Sequence, residues 1–221
     1  VTNQLHAKKA AVYIDNSSDY SKGLQKFFVE EFQKSGGTIV ASEAYLQKDT
    51  DFKAALTKIK AENPDVIFVP GYYQEVGMII KQAREMGITQ PIVGGDGWDS
   101  AKLAEIAGAA NLENCYFANH YSAEDTSDKV KTFVTNYQKA YNQKADAPAA
   151  LAYDSVMIVA QAIKDANSFD KDKVQAALEK IKNLEAVTGT ISFNEFHDPV
   201  KSAVILTFKD GKQAFVTKIA P

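Results

Sequence analysis

Four short stretches carry side chains that could hold a small molecule: "NSSDYSKG" with Ser17, Ser18, Asp19 and Tyr20, "PGYYQE" with Tyr72 and Tyr73, "GGDGWD" with Asp96, Trp98 and Asp99, and "NHYS" with His120 and Tyr121. Each follows an apolar run of strand length, and in an open α/β sheet ligands bind beyond the carboxyl ends of the strands. A carboxylate in such a loop suits an ammonium group, above all one partly withdrawn from water. A tyrosine offers an apolar face to an aliphatic group and a hydroxyl to orient it. Lys22 is the only cation in these stretches, so an anionic group on the same ligand would need backbone N–H groups at helix starts, or another lobe. Each residue also has a plainer role open to it. Asp19 and Asp99 read as helix N-caps, Ser17 and Ser18 as turn formers or ligands, Tyr73 as a cover for its helix start or a site residue, and Asp96 as a turn residue or a ligand.

Catalytic patterns are weak. The chain has no G-x-S-x-G elbow, no G-x-x-x-x-G-K-[ST] loop and no G-x-G-x-x-G after its first strand. His6, His120 and His197 are too scattered to suggest a metal site, and Cys115, the only cysteine, opens an apolar run and reads as core. No cofactor is expected. With 25 basic against 28 acidic residues and no basic cluster, nothing points to nucleic acid. No apolar run approaches the roughly 20 residues needed to span a bilayer, and no signal peptide is present in this sequence.

The elements that must position these loops repeat. Residues 8–119 alternate strand and helix four times: "KKAAVYID", then a helix with Leu24, Phe27, Phe28 and Phe32 on one face; "TIVASEAY", then Phe52, Ala55, Leu56 and Ile59 in helical register, with Asp51 or Thr50 as cap; "DVIFVP", then Val76, Ile79, Ile80 and Ala83; "PIVGG", then a weaker helix, and finally "CYFANH". Such alternation with short connections predicts a parallel sheet covered on both faces. After residue 120 the rhythm changes to a long helix with Val130, Phe133, Val134, Tyr137 and Tyr141 inward, a nearly all-apolar helix "AALAYDSVMIVAQAIKDA", a third helix, and strands that end in an Asp210-Gly211 hairpin. The apolar helix is expected to be buried between other elements, either against a second sheet that this sequence does not contain or within the core of a single sheet. The opening "VTNQLHAKK" reads as the last turn of a helix. These two features suggest a fragment of a two-lobed chain.

"NSSDYSKGL", "DTDFKAALTKIKAENPDVIFVPGYYQE", "IIKQAREMGITQPIVGGDGW", "AYDSV" and "VTGTISFNEFHDPVKSAVIL" together resemble the branched-chain amino-acid-binding proteins of ABC importers, which are type I periplasmic-type solute-binding proteins. The similarity runs through the whole chain and corresponds to the later part of such a protein, without most of the N-terminal lobe. It implies an α/β C-terminal-lobe-like domain over 1–122, a helical segment of the incomplete N-terminal lobe over 123–188, and returning strands over 189–221. It implies a non-enzymatic receptor that closes by hinge motion on an aliphatic amino acid of the Leu/Ile/Val class, works with the importer's membrane subunits and is extracytoplasmic, periplasmic or lipid-anchored. An amino-acid-sensing ectodomain and a small-molecule α/β enzyme are the alternatives. By resemblance Tyr20 matches the tyrosine after the lobe's first strand, and Tyr72 the tyrosine that packs on the ligand. Asp96 stands at the acidic position that receives the α-ammonium, where many relatives have Glu. Trp98 and Tyr121 are neighbouring candidates. A chain lacking its first lobe is also expected to self-associate, or to repack its helices, through residues near Tyr153 to Ile163.

Overall fold

The computed structural model describes residues 1–221, with the side chain of residue 3 excepted. The chain divides into two compact units, one of Val1–Ala118 with Leu206–Ala214, the other of Asn119–Ile205 with Phe215–Pro221. The first unit's leading segment runs to Ala118, and the terminal strands are divided between the two units.

In the first unit a short helix α1 (Thr2–Leu5) precedes strand β1 (Lys9–Asp15), helix α2 (Asp19–Lys34), β2 (Thr38–Tyr45), α3 (Lys53–Ala61), β3 (Val66–Phe68), α4 (Tyr73–Glu85), β4 (Ile92–Gly94), α5 (Ala101–Ala107) and β5 (Cys115–Asn119). The pairs β1–β2, β1–β3, β3–β4 and β4–β5 are all parallel. The seven-stranded sheet has the order β10-β9-β5-β4-β3-β1-β2, where β9 is Ala203–Lys209 and β10 is Lys212–Ile219. Their connection is the two-residue turn Asp210-Gly211, both residues at positive φ (51° and 72°), the conformation whose twist matches a hairpin. Every residue of β3 and β4, and all of β1 after Lys9, is buried, as a sheet covered on both faces requires. On one face Val12, Ile14, Val66, Phe68 and Val93 form a cluster with Phe32 and Phe28 of α2. Phe27, expected on that face, is 64% exposed, because its position on the helix lies to the far side of Leu24 from Phe28 and Phe32.

Helix starts differ from expectation by one residue. Ser18, not Asp19, caps α2 by accepting from Ser21 N at 3.3 Å, since Ser18 is the residue with extended backbone before the first turn. Likewise Ser100 caps α5, while Asp99 accepts from Gln213 Nε2 at 2.6 Å. The cap position of α3 is Phe52, without a side-chain bond, and Asp51 instead accepts from Lys53 N at 3.1 Å. At the opposite end of α4, Arg84 donates to the carbonyls of Ile88, Gln90 and Glu113 at 2.7, 2.9 and 3.0 Å. It thereby ties down the approaches to β4 and β5. Cys115 is buried beside it, and burial pushes its thiol up to about 11 against the opposing pull of Arg84, which makes it a core residue without nucleophilic character.

The second unit contains α6 (Asp128–Tyr141), α7 (Ala147–Ala166), α8 (Lys171–Leu178) and an antiparallel sheet of β6 (Leu184–Ala186), β7 (Gly189–Phe193) and β8 (Pro199–Val200). Ser127, Asp146 and Asp170 cap the three helices. A core of Tyr121, Val130, Phe133, Ala147, Ala150 and Val187 joins α6 to α7. Only one stripe of α7 is covered: Ala147, Ala150, Asp154 and Ala162 are buried. Tyr153, Val156, Met157 and Val159 are exposed, Val156 to 68%. Burial on all sides was expected from composition, but Val156, Met157 and Val159 stay exposed, and Tyr153 is only partly covered by the Phe133 ring 5.2 Å away.

Candidate functional site

The loops after β1, β3 and β4 meet at the carboxyl edge of the first unit's sheet. Tyr20, in the first turn of α2, is half-buried, and its hydroxyl donates to Asp96 Oδ1 at 2.7 Å. The Tyr20 hydroxyl oxygen in turn accepts the Gly97 N–H at 3.0 Å. Its ring stacks on Tyr72, with centroids 5.2 Å apart and planes 29° apart. Tyr72 stands at the N-cap position of α4 with extended backbone and no capping bond of its own. That leaves its ring 41% exposed. A residue that stops before the helix and does not cap it is free to present its side chain at the sheet edge, which is where a simple turn residue would have offered nothing. Asp96 begins a single 3-10 turn (Asp96–Trp98) after Gly95.

Two glycines let these loops come so close. A Cβ on Gly95 would sit 2.8 Å from both Tyr20 Oη and Leu24 Cδ1, and one on Gly97 would sit 2.5 Å from the Gly71 carbonyl and 3.2 Å from Tyr72. Any side chain at either position would push Asp96 away from Tyr20 or from Tyr72. The glycine-rich "GGDGWD" is thus a close-packing loop, which explains why it fits no phosphate-binding pattern.

A second layer fixes the loops to each other. Ser21 Oγ accepts from Asp15 N at 3.0 Å and donates to the Pro70 carbonyl, so it joins the end of β1 to the loop that carries Tyr72. Ser17 gives its N–H to Asp15 Oδ1 at 2.8 Å and accepts from Gln47 N at 3.1 Å. Ser17 and Ser18 are therefore committed to turn and cap. Burial, then the bond to Asp96 and the charge of Asp96, raise the Tyr20 phenol well above its ordinary pKa, with the Gly97 N–H opposing them. Tyr20 remains a neutral hydroxyl throughout the physiological range.

The structure brings Tyr20, Tyr72 and Asp96 together. Trp98 belongs to the same loop but lies beneath it: fully buried, it donates Nε1–H to the Val69 carbonyl at 3.1 Å and stacks on Phe117 at 6.0 Å. It holds the loop down and does not present a surface. Tyr121 is in the second unit, 4% exposed, with its ring edge-on to Phe133 at 6.1 Å. Sequence reading passed over Gly95, Gly97 and Ser21. The one available signal was the alternation of glycine around Asp96, which reads equally well as an ordinary turn. Among the described residues no group of three or more His, Cys, Asp or Glu could hold a metal ion, and no helix is long and apolar enough to cross a membrane.

The periplasmic binding protein family matches residues 1–213. Leu/Ile/Val-binding protein homolog 3 of Brucella melitensis is 30% identical over 214 residues, covering 96% of this chain and 57% of its own length. The structure of the leucine binding protein LivK from Thermotoga maritima aligns with a TM-score of 0.94 at 36% identity, over 100% of this chain and 63% of that one. The branched-chain amino acid transporter substrate binding protein LivJ from Streptococcus pneumoniae, solved in complex with isoleucine, aligns with a TM-score of 0.86 at 44% identity, over 98% and 62%. The chain thus spans less than two thirds of the length of these relatives. With its mostly parallel sheet flanked by helices, the chain belongs to the periplasmic binding protein family, whose matched relatives are named as binding proteins.

Proposed function

We propose that this chain contributes one wall of an amino-acid receptor that delivers a branched-chain or similar aliphatic amino acid to an ABC importer at the outer face of a cell membrane. The observation that carries the reading is a half-buried carboxylate, Asp96, braced beside the exposed ring of Tyr72 at the carboxyl edge of the sheet. In this reading Asp96 receives the ligand's α-ammonium, the Tyr72 ring packs on its aliphatic side chain, and Trp98 acts from below by holding the loop. Asp is one methylene shorter than Glu, so the ammonium either sits deeper or is reached through one water. The groups that hold the α-carboxylate come from the length that the relatives have and this chain lacks, and hinge closure over the ligand favours the closed form. The relatives' printed names, which state Leu/Ile/Val, leucine and isoleucine, support this ligand class.

Titration calorimetry of the full-length protein with L-leucine, L-isoleucine and L-valine tests the proposal. At least one should bind, and Asp96→Asn should weaken it about tenfold or more, because a hydrogen bond to a charged group is worth about 1.5–3 kcal/mol. Unchanged affinity in Asp96→Asn would reduce Asp96 to a turn residue.

A further inference from the structure

The turn between β6 and β7 is pinned by one carboxylate. Asp154 of α7, itself buried, accepts from Val187 N and from Thr188 N at 2.8 Å each. Thr188 is thereby fixed at 4% exposure, with its hydroxyl oxygen buried and without a hydrogen-bond partner among the described residues. A buried hydroxyl left in that state costs stability, and such groups in folded proteins are met by other protein groups or by ordered water. Thr188 lines a small cavity of about 10 Å³ inside the second unit, about the least volume that admits one water.

We propose that this cavity is a hydration site, holding one ordered water bonded to the hydroxyls of Thr188, Ser122 and Ser202. All three residues line it. Ser122 is buried, and its oxygen already accepts from Glu124 N at 3.2 Å, so its proton is the part left to give. Ser202 Oγ lies against the same turn as Thr188, since a Cβ on Gly189 would stand 3.0 Å from it. Three partners is the usual number for a buried water. Val130, Val187 and Val204 add apolar wall, which lowers the local dielectric and strengthens those bonds. An ion does not suit the site. The two permanent charges on its wall, Lys218 and Asp125, are paired with each other at 3.4 Å, which leaves no net charge to offset the desolvation of an ion. The three hydroxyls come from distant segments: one after β5, one in the β6–β7 turn and one just before β9. The chain passes from unit to unit between Ala118 and Asn119 and between Ile205 and Leu206, close in sequence to Ser122 and Ser202. The water therefore braces the second unit where the chain enters and leaves it.

Crystallography of the full-length protein at atomic resolution reads the site directly. One water should lie within hydrogen-bond distance of Thr188 Oγ1 and of at least one of the two serine hydroxyls. No density there, or a Thr188 hydroxyl turned onto a backbone carbonyl, would overturn the proposal. Amide exchange at Val187 and Thr188 gives a second, independent readout. Thr188→Val keeps the shape of the side chain and removes the hydroxyl. Around a dry cavity this would delete an unsatisfied group and slow the exchange. Around a water it should speed the exchange about fivefold, because the water loses a partner. Ser202→Ala alone should also speed it about fivefold, but by less than about twofold when added to Thr188→Val, since the water has by then lost its hold. Slower exchange in Thr188→Val, or full additivity of the two changes, would refute the shared water.

Discussion

The first unit covers most of its apolar surface, leaving single residues such as Phe27 and Leu46 exposed, whereas the second leaves a whole helix face open. Around the parallel sheet, β3 and β4 are buried along their whole length, and α4 turns Val76, Ile79, Ile80 and Ala83 inward to complete burial. In the second unit α7 buries three alanines and one aspartate, and leaves Tyr153, Val156, Met157 and Val159 open. A groove of about 490 Å³ runs between α6 and α7, lined by Phe133, Tyr137, Tyr141, Tyr153 and Met157 among others. Exposed apolar patches of this kind are rare on soluble monomers and mark contact surfaces. The contrast bears on function. Tyr20, Tyr72 and Asp96 sit on the unit whose packing is complete in itself, so their geometry is set by local residues.

The sharpest way to break the contrast is to open the complete unit. Trp98→Ala removes a fully buried ring that also satisfies the Val69 carbonyl, and should cost about 3–5 kcal/mol in chemical denaturation of the first unit. A loss under about 1 kcal/mol would mean that this core is looser than its burial implies. Next, Asp154→Ala in α7 strips the acceptors from Val187 N and Thr188 N, each bonded at 2.8 Å to a buried carboxylate. Leaving two buried donors unsatisfied should cost about 2–4 kcal/mol, confined to the second unit and visible as faster amide exchange at 187 and 188 with β1 protection retained.

Substitution on the open face should do the opposite. Val156→Glu with Met157→Lys should leave folding stability within about 0.5 kcal/mol, while abolishing the self-association that we expect the 221-residue chain to show by light scattering. A wild-type chain that scatters as a monomer at every concentration would remove the case for that surface. The smallest expected effect is on pH dependence. Burial brings Lys201 down to about 8, with Asp154 pulling up and Lys218 pushing down. A lysine depressed in the folded state holds fewer protons there than in the unfolded chain between about 8 and its ordinary value. The second unit should therefore gain stability as pH rises from about 8 towards 10, modestly because Lys201 is only partly buried. Lys201→Met should flatten that rise, and an identical slope in the variant would assign it to another group.

Some of this was legible residue by residue. Apolar runs located β1, β3 and β4 because a strand buried on both faces is apolar almost throughout, and Asp210-Gly211 announced its hairpin because few residue pairs accept two positive φ angles. Tyr72 and Asp96 could be singled out by chemistry, since a large aromatic and a carboxylate are costly choices for loops that only turn. Helix caps were less legible. Ser18 and Asp19 are both good caps, and the choice between them depends on which residue keeps an extended backbone once α2 has docked.

By itself the sequence determined the alternating α/β order, the edge of the sheet on which a site could form, and the chemical types gathered there, since these follow from local periodicity and side-chain character. Only the tertiary structure decided that Trp98 lies under the loop and Tyr121 in another core, that Tyr20 bonds Asp96 across 76 positions of sequence, and that α7 keeps an open face. Those outcomes depend on close approach between distant segments, where a missing Cβ or a single covered stripe counts for more than any propensity carried along the chain.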